Sequence, residues 1–234
     1  MAIYNGRLPK LNEDEIKRYS GLKHAEGFPE QYVKEAALEV QLVAEPRGVY
    51  QCYDYDADTH TILSNPPMVL DATGIIRHLG NAKKVYVLAV TVGEAVEERS
   101  SALFKEGKST LGLLVDAAAT TAVEQVADQV NELIDREAKK QGFKTTWRFS
   151  PGYGNWPVTV QQEFAKIIKT EEIGLTVTDT SMLFPRKSVT AIVGCQTIDE
   201  EGPKTQRGCT SCSQVDCASR KLPEKEIGRA SCRE

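Results

Sequence analysis

The sequence has few histidines, no long apolar run and no excess of positive charge. Three histidines occur in 234 residues, at positions 24, 60 and 78, which leaves little room for a histidine-rich metal site. The net charge of −4 argues against a protein that binds nucleic acid by neutralising its phosphates. The longest apolar run, residues 85–90, has the length of a strand, whereas a membrane helix needs ~20 apolar residues.

Several common motifs are also missing. The sequence contains no G-x-x-x-x-G-K-[ST] phosphate loop, no G-x-G-x-x-G fingerprint and no G-x-S-x-G elbow. The N-terminus lacks the apolar segment of a signal peptide, so we expect a cytoplasmic protein without a membrane or nucleic-acid partner. With 41% hydrophobic and 26% charged residues, the composition is typical of a globular chain.

The last nine residues, 226–234, read EIGRASCRE. This stretch resembles the translated read-through of a sequencing adapter, and we therefore exclude it from the fold prediction. On this interpretation Cys232 is not a natural cysteine, and the natural C-terminus is missing.

The hydrophobic pattern predicts an α+β fold, a twisted and mainly antiparallel sheet with a long central helix and flanking helices. Helical spacing predicts helices at residues 12–19, 29–44, 72–79, 94–105, 110–140 and 160–169. Alternating or β-branched residues predict strands at 48–55, 59–63, 84–92, 145–149, 174–178, 181–184 and 188–194. We expect one domain over residues 1–194, of which 1–80 form an N-terminal helical and hairpin portion, followed by a cysteine-rich segment at 195–225.

Three ordered blocks in the second half of the chain carry a family resemblance. They are AVEQVAD at 122–128 on the long helix, RFSPGYGNWP at 148–157, and IGLTVTDTSMLFPRKSVTAIVG at 173–194. Together they resemble the activation domain of vitamin B12-dependent methionine synthase, in which the middle block reads Arg-x-x-Pro-Gly-Tyr. One departure is Val193, which stands where that family has a tyrosine.

The resemblance implies binding of S-adenosylmethionine (AdoMet). By position in the blocks it implies that Arg148 contacts the ligand and that Ser150 and Gly152 do so through the backbone. It further implies roles for Tyr153 and for the acidic helix residue Glu124. The chemistry is reasonable, because an arginine fork suits the carboxylate of AdoMet, a glutamate suits its amino group, and an aromatic face suits adenine or the sulfonium. Taken singly, Glu124 and Tyr153 would equally suit a solvated helix charge and a half-buried turn residue.

A second feature is a group of cysteines near the end of the chain. Cys209, Cys212 and Cys217 follow one another closely, and Cys195 lies upstream. In a cytoplasmic protein this spacing favours a metal site over disulfides, and the metal is either a [4Fe–4S] cluster or structural zinc. Free thiols in a mobile tail are the simpler alternative. Cys52, within a predicted strand, is expected to be an inert core thiol.

The sequence therefore predicts an AdoMet-binding activation module that helps to re-methylate a corrinoid (cobalamin) cofactor on a partner protein. The partner would be a cobalamin-binding methionine synthase or another corrinoid protein. The alternative is a non-enzymatic corrinoid-protein chaperone or electron-transfer adaptor, in which the cysteine segment carries the chemistry.

Overall fold

The computed structural model describes residues 1–22, 25 and 27–199. The helices are α1 (Glu13–Tyr19), α2 (Glu30–Val43), α3 (Thr73–Leu79), α4 (Ala95–Lys105), α5 (Ser109–Lys140) and α6 (Gln161–Ile168). The strands are β1 (Ala2–Asn5), β2 (Arg47–Asp56), β3 (Thr61–Ile62), β4 (Met68–Val69), β5 (Lys84–Thr91), β6 (Phe143–Thr145), β7 (Thr176–Val177), β8 (Leu183–Phe184) and β9 (Ser188–Thr197).

The three longest strands form the centre of an antiparallel sheet. Its order is β4-β3-β2-β5-β9-β6, with β1 added to β2, and β7 and β8 form a separate hairpin. Every pairing between these strands is antiparallel. Since β2 lies within the sheet, residues from the N-terminal portion and from the rest of the chain share one sheet. The predicted α+β class with a mainly antiparallel sheet and a long helix is confirmed.

Strand β5 separates two hydrophobic cores because its side chains alternate between the faces of the sheet. Tyr86 and Leu88 belong to the core on one face, which also takes buried residues from α1, α2, α4 and α5. Val85 and Val87 belong to the core on the other face, which is closed by α3, α6 and the segment around Phe149. The molecule is thus a sheet between two unequal helical layers.

Helix α5 is 32 residues long and crosses the larger layer. Its first half is rich in small buried side chains, which lets neighbouring elements approach its backbone. Gly48 in β2 lies under the helix, and a Cβ atom there would lie 2.9 Å from Cγ2 of Val130 and 3.2 Å from Cγ1 of Val90. The close packing of sheet and helix therefore depends on a glycine at this position. Within the described residues, neither α5 nor any other helix is long and apolar enough to cross a membrane.

The strand predicted at residues 145–149 is wrong in position, because the observed strand β6 covers Phe143–Thr145. The ladder with β9 is altered at the next residue, where the Thr146 hydroxyl accepts the Gly194 N–H at 2.9 Å. Further along, the chain returns to β9 at a single bridge between Phe149 and Ile192. The short strands β1 and β4 were not predicted, and the predicted boundary at residue 194 falls inside β9.

Candidate functional site

A cavity of about 240 Å³ lies between α1, α5 and the segment that follows β6. Its lining is mostly polar and comes from three parts of the chain that are distant in sequence. The described residues that line it are Asn12, Glu15, Tyr19, Thr121, Glu124, Gln125, Asp128 and Arg148.

Arg148 is the least exposed of the charged groups at the centre of this cavity. Its Nη2 lies 3.3 Å from Oε2 of Glu124, and its Nη1 lies 2.8 Å from Oδ1 of Asp128. The arginine side chain is 13% exposed, whereas those of Glu124 and Asp128 are 42% and 60% exposed. A guanidinium carries five N–H donors, so these two contacts leave capacity for a further anionic or carbonyl partner.

The orientation of Arg148 follows from its neighbours in sequence. Phe149 lies in the core on the opposite face of the sheet from α5, and Trp147 packs against that core. Because side chains alternate in an extended segment, the residue between them faces α5 and its carboxylates. Glu124 and Asp128 are one helical turn apart, so both reach the same guanidinium.

His78 in α3 packs against Trp147 and Phe149, the two residues on either side of Arg148. Its ring is completely buried and packs 4.4 Å from the Trp147 ring and 4.9 Å from the Phe149 ring. Its Nε2 lies 2.8 Å from the Trp147 carbonyl, and since a carbonyl only accepts, Nε2 carries the proton. Burial lowers the pKa of His78 to about 4, so the ring is neutral at pH 7.

Helix α1 forms the opposite wall of the cavity. Asn12 caps this helix, since its Oδ1 accepts the backbone N–H groups of residues 14 and 15 at 3.0 and 3.2 Å. Glu15 pairs with Arg18, whose guanidinium lies 3.9 Å above the Tyr19 ring. Burial, and then the charge of Glu124, raise the pKa of Tyr19, so this hydroxyl stays protonated at neutral pH.

Two glutamines of α5 attach the chain before α1 to the long helix. Gln125 accepts the Asn12 N–H through Oε1 at 3.1 Å and donates from Nε2 to the Lys10 carbonyl at 3.0 Å. Gln129 donates from Nε2 to the Arg7 carbonyl at 3.0 Å. These hydrogen bonds fix where α1 begins and hence where its side chains meet the cavity.

The Pro-Gly-Tyr turn lies beside the cavity and is not part of its lining among the described residues. Gly152 has a φ of +95°, which favours glycine. Its N–H donates to the Trp156 carbonyl, and the Tyr153 N–H donates to the Ser150 carbonyl, so two backbone groups of the turn bond within it. Tyr153 is 50% exposed and packs edge-on against Phe149. The structure thus brings Arg148 and Glu124 together and leaves Ser150, Gly152 and Tyr153 on the adjacent turn.

Of the four predicted metal ligands, one lies in the described part of the chain. Cys195 is a buried residue of β9 in the core that faces α5, and burial raises the pKa of its thiol to about 12. The other three cysteines lie outside the described residues. Among the described residues, no group of three or more His, Cys, Asp or Glu side chains is arranged to hold a metal ion. Cys52 is half-buried in β2, and burial raises the pKa of its thiol.

Sequence reasoning missed the α1 wall and Asp128. The α1 residues lie more than 100 positions from Glu124, and the asparagine cap with its acidic first turn indicates a helix start without indicating a ligand site. Asp128 could have been identified from the sequence, because it lies one helical turn after Glu124 and therefore on the same face of α5.

Among known proteins, the chain is similar in fold to solved structures. No family model and no curated protein matches the chain. A crystal structure of the MetH reactivation domain bound to AdoHcy is similar, with a TM-score of 0.56 and 14% sequence identity, over 90% of this chain and 83% of the other. At this identity the similarity establishes a shared fold.

Proposed function

We propose that this chain binds AdoMet and presents its methyl group to a corrinoid cofactor on a partner protein, such as a cobalamin-binding methionine synthase. The observation that carries the proposal is the pair formed by Arg148 and Glu124. Both were singled out from the sequence blocks, and in the fold they line one cavity with their charged atoms 3.3 Å apart. The similar fold of the MetH reactivation domain, which was crystallised with AdoHcy, supports the same ligand class.

The chemistry of the lining suits the methionine end of AdoMet. Arg148 offers N–H donors to the ligand's carboxylate, and Glu124 and Asp128 offer acceptors to its amino group. Ligand pockets for molecules of drug size usually measure ~300–1,000 Å³, so a cavity of about 240 Å³ takes only part of AdoMet. We therefore propose that the adenosine extends out of the cavity toward the turn with Ser150, Gly152 and Tyr153.

In the proposed reaction, this chain binds AdoMet and orients its methyl group. The methyl group leaves the sulfonium sulfur, the electrons of the broken S–C bond stay on sulfur, and AdoHcy is formed. The new bond to cobalt uses an electron pair of the reduced corrinoid on the partner, which needs an external low-potential electron donor. Since the nucleophile belongs to the partner, the residues of this chain contribute by binding and positioning AdoMet.

Calorimetric titration of AdoMet tests this proposal. We expect measurable binding to the unmodified protein and an affinity more than tenfold weaker in Arg148→Ala, since losing a charged partner of a carboxylate costs ~1.5–3 kcal/mol. Arg136→Ala is the matched control, because Arg136 is an exposed arginine on α5 and lies outside the cavity lining. Its affinity is expected to stay within about twofold of the unmodified protein.

A second assay tests methyl transfer itself. A cobalamin-dependent methionine synthase with oxidised cofactor is mixed with the chain, AdoMet and a low-potential reductant, and the return of methylcobalamin is followed by absorbance. We expect the recovery to depend on both AdoMet and Arg148. Absence of AdoMet binding by the unmodified protein would contradict the proposal, and the adaptor alternative would then replace it.

A further inference from the structure

We infer that Asn155 is a positioning residue, which fixes the Pro-Gly-Tyr turn beside the cavity by bonding it to the start of α3. The inference rests on the proposed function, in which the adenosine of AdoMet extends toward this turn. It adds to that function the side chain that keeps the turn in place for the ligand.

The contact between Asn155 and α3 consists of two hydrogen bonds. Oδ1 of Asn155 accepts the Gly74 N–H at 2.9 Å, and Nδ2 of Asn155 donates to Oγ1 of Thr73 at 3.0 Å. Since a backbone N–H only donates, it fixes the orientation of the amide, with Oδ1 toward Gly74. The two partners lie 81 and 82 positions before Asn155, so these bonds join distant parts of the chain.

The start of α3 suits this attachment because its own N-cap residue is Ala72, which has no side-chain acceptor for the first N–H groups of the helix. Asparagine is among the preferred capping residues. Asn155 therefore supplies from the turn the acceptor that a local cap would supply. Gly74 leaves room for it, because a Cβ at this position would lie 2.8 Å from Oδ1 of Asn155.

The turn needs an attachment to another element because its own backbone is adaptable. Gly152 and Gly154 have φ angles of +95° and +58°, and glycine adopts many backbone conformations at little steric cost. The ends of the segment are held by Phe149 and Trp156, which are buried in one core. Asn155 attaches the stretch between these two aromatic residues to a helix.

Helix α3 thereby contacts both parts of the segment that the ligand is proposed to span. His78, in its last turn, packs against the two residues that flank Arg148. Thr73 and Gly74, at its start, bind the turn through Asn155. One short helix therefore sets where the turn lies relative to Arg148. A ligand that reaches from Arg148 to the turn meets groups already in place, so binding does not have to order a loop.

Calorimetric titration of AdoMet into the full chain tests the inference with two variants that break the contact from opposite sides. Asn155→Ala removes the side chain, and Gly74→Ala places a Cβ too close to Oδ1 of Asn155. We expect each variant to bind AdoMet about fivefold more weakly, because a turn that is only partly in the competent conformation lowers the apparent affinity by that fraction. The double variant is expected to bind no more weakly than either single variant, since both remove the same contact.

Two further variants separate positioning from a general effect on the fold. Asn155→Asp keeps an acceptor for the Gly74 N–H and can accept the Thr73 hydroxyl, so we expect its affinity to stay within about twofold of the unmodified protein. Asn81→Ala is the control, because it removes an exposed asparagine from the turn at the other end of α3. Its affinity for AdoMet is expected to be unchanged.

The possible results distinguish this inference from the proposed function. Unchanged affinity in Asn155→Ala, an equal loss in Asn155→Asp, or an equal loss in Asn81→Ala would overturn the inference while leaving the proposed function standing. If the unmodified protein binds no AdoMet, the proposed function is wrong and the inference falls with it. Circular dichroism checks folding, and Gly74→Ala remains decisive if Asn155→Ala is unfolded, because alanine is a better helix former than glycine.

Discussion

His78 is expected to make the stability of the fold depend on pH in a window that begins above the range in which exposed carboxylates titrate. The ring is buried between α3 and the segment next to Arg148, and burial lowers its pKa from 6.5 to about 4. In the unfolded chain the same ring has a pKa of ~6.5. Between these two values the unfolded state binds a proton that the folded state does not bind.

The sign and the size of the effect follow from this difference. Because the unfolded state binds more protons, the free energy of unfolding falls as the pH is lowered. The contribution of His78 is complete above pH ~6.5 and is lost as the pH falls toward ~4, with a total of about 3 kcal/mol. Between pH 7 and pH 5 the loss is about 2 kcal/mol, within a window where exposed carboxylates remain ionised.

Urea titrations at a series of pH values measure this loss. His78→Gln lacks a titrating ring and keeps an N–H donor for the Trp147 carbonyl, so we expect a lower but nearly constant stability between pH 7 and pH 5. His60→Asn is the control, since asparagine tolerates the positive φ of 54° at this position and leaves His78 in place. A pH dependence that His78→Gln leaves intact would refute the reasoning.

Three further predictions concern packing, the α1 wall and the cysteines. Gly48→Ala places a Cβ 2.9 Å from Cγ2 of Val130, and urea titration should show that the free energy of unfolding falls by about 1–3 kcal/mol. An unchanged free energy of unfolding would contradict the close packing of α5 on β2. Gln125→Ala removes the two hydrogen bonds that Gln125 makes to the chain before α1, so amide exchange of residues 13–19 should accelerate about fivefold. The acceleration should be smaller in Gln125→Glu. Unchanged exchange in Gln125→Ala would show that these hydrogen bonds do not hold α1 in place. Anaerobically purified protein should contain iron and sulfide that Cys212→Ser removes; zinc alone would exclude the cluster, and no metal would exclude the site.

The central architecture was predictable because each pattern had one physical solution. The β-branched run at 84–92 and the stripe of apolar residues on α5 each require burial on defined faces, and both elements are found close to their predicted bounds. The short strands β1 and β4 were missed, since four and two residues carry too little periodicity to be read. The strand next to Arg148 was predicted in the wrong place because the Thr146 hydroxyl accepts the backbone N–H of Gly194. A hydrophobic pattern does not show such a hydrogen bond.

The candidate site was predictable only in part. Arg148 and Glu124 were identified through resemblance to a family, and their spacing of 24 residues has no local signature. The contribution of α1 depends on side chains of α5 that bind a backbone more than 100 residues away. Ser150, Gly152 and Tyr153 were also identified through the resemblance, and they lie on the turn that follows Arg148, outside the lining of the cavity among the described residues.

The most direct test of the central claim is a crystal structure of this chain grown with AdoMet. We predict that the ligand's carboxylate lies within hydrogen-bond distance of Arg148, that its amino group lies near Glu124 or Asp128, and that its methyl group points to solvent, where a partner's corrinoid can reach it. A ligand bound elsewhere on the molecule, or an empty cavity at saturating AdoMet, would contradict the account.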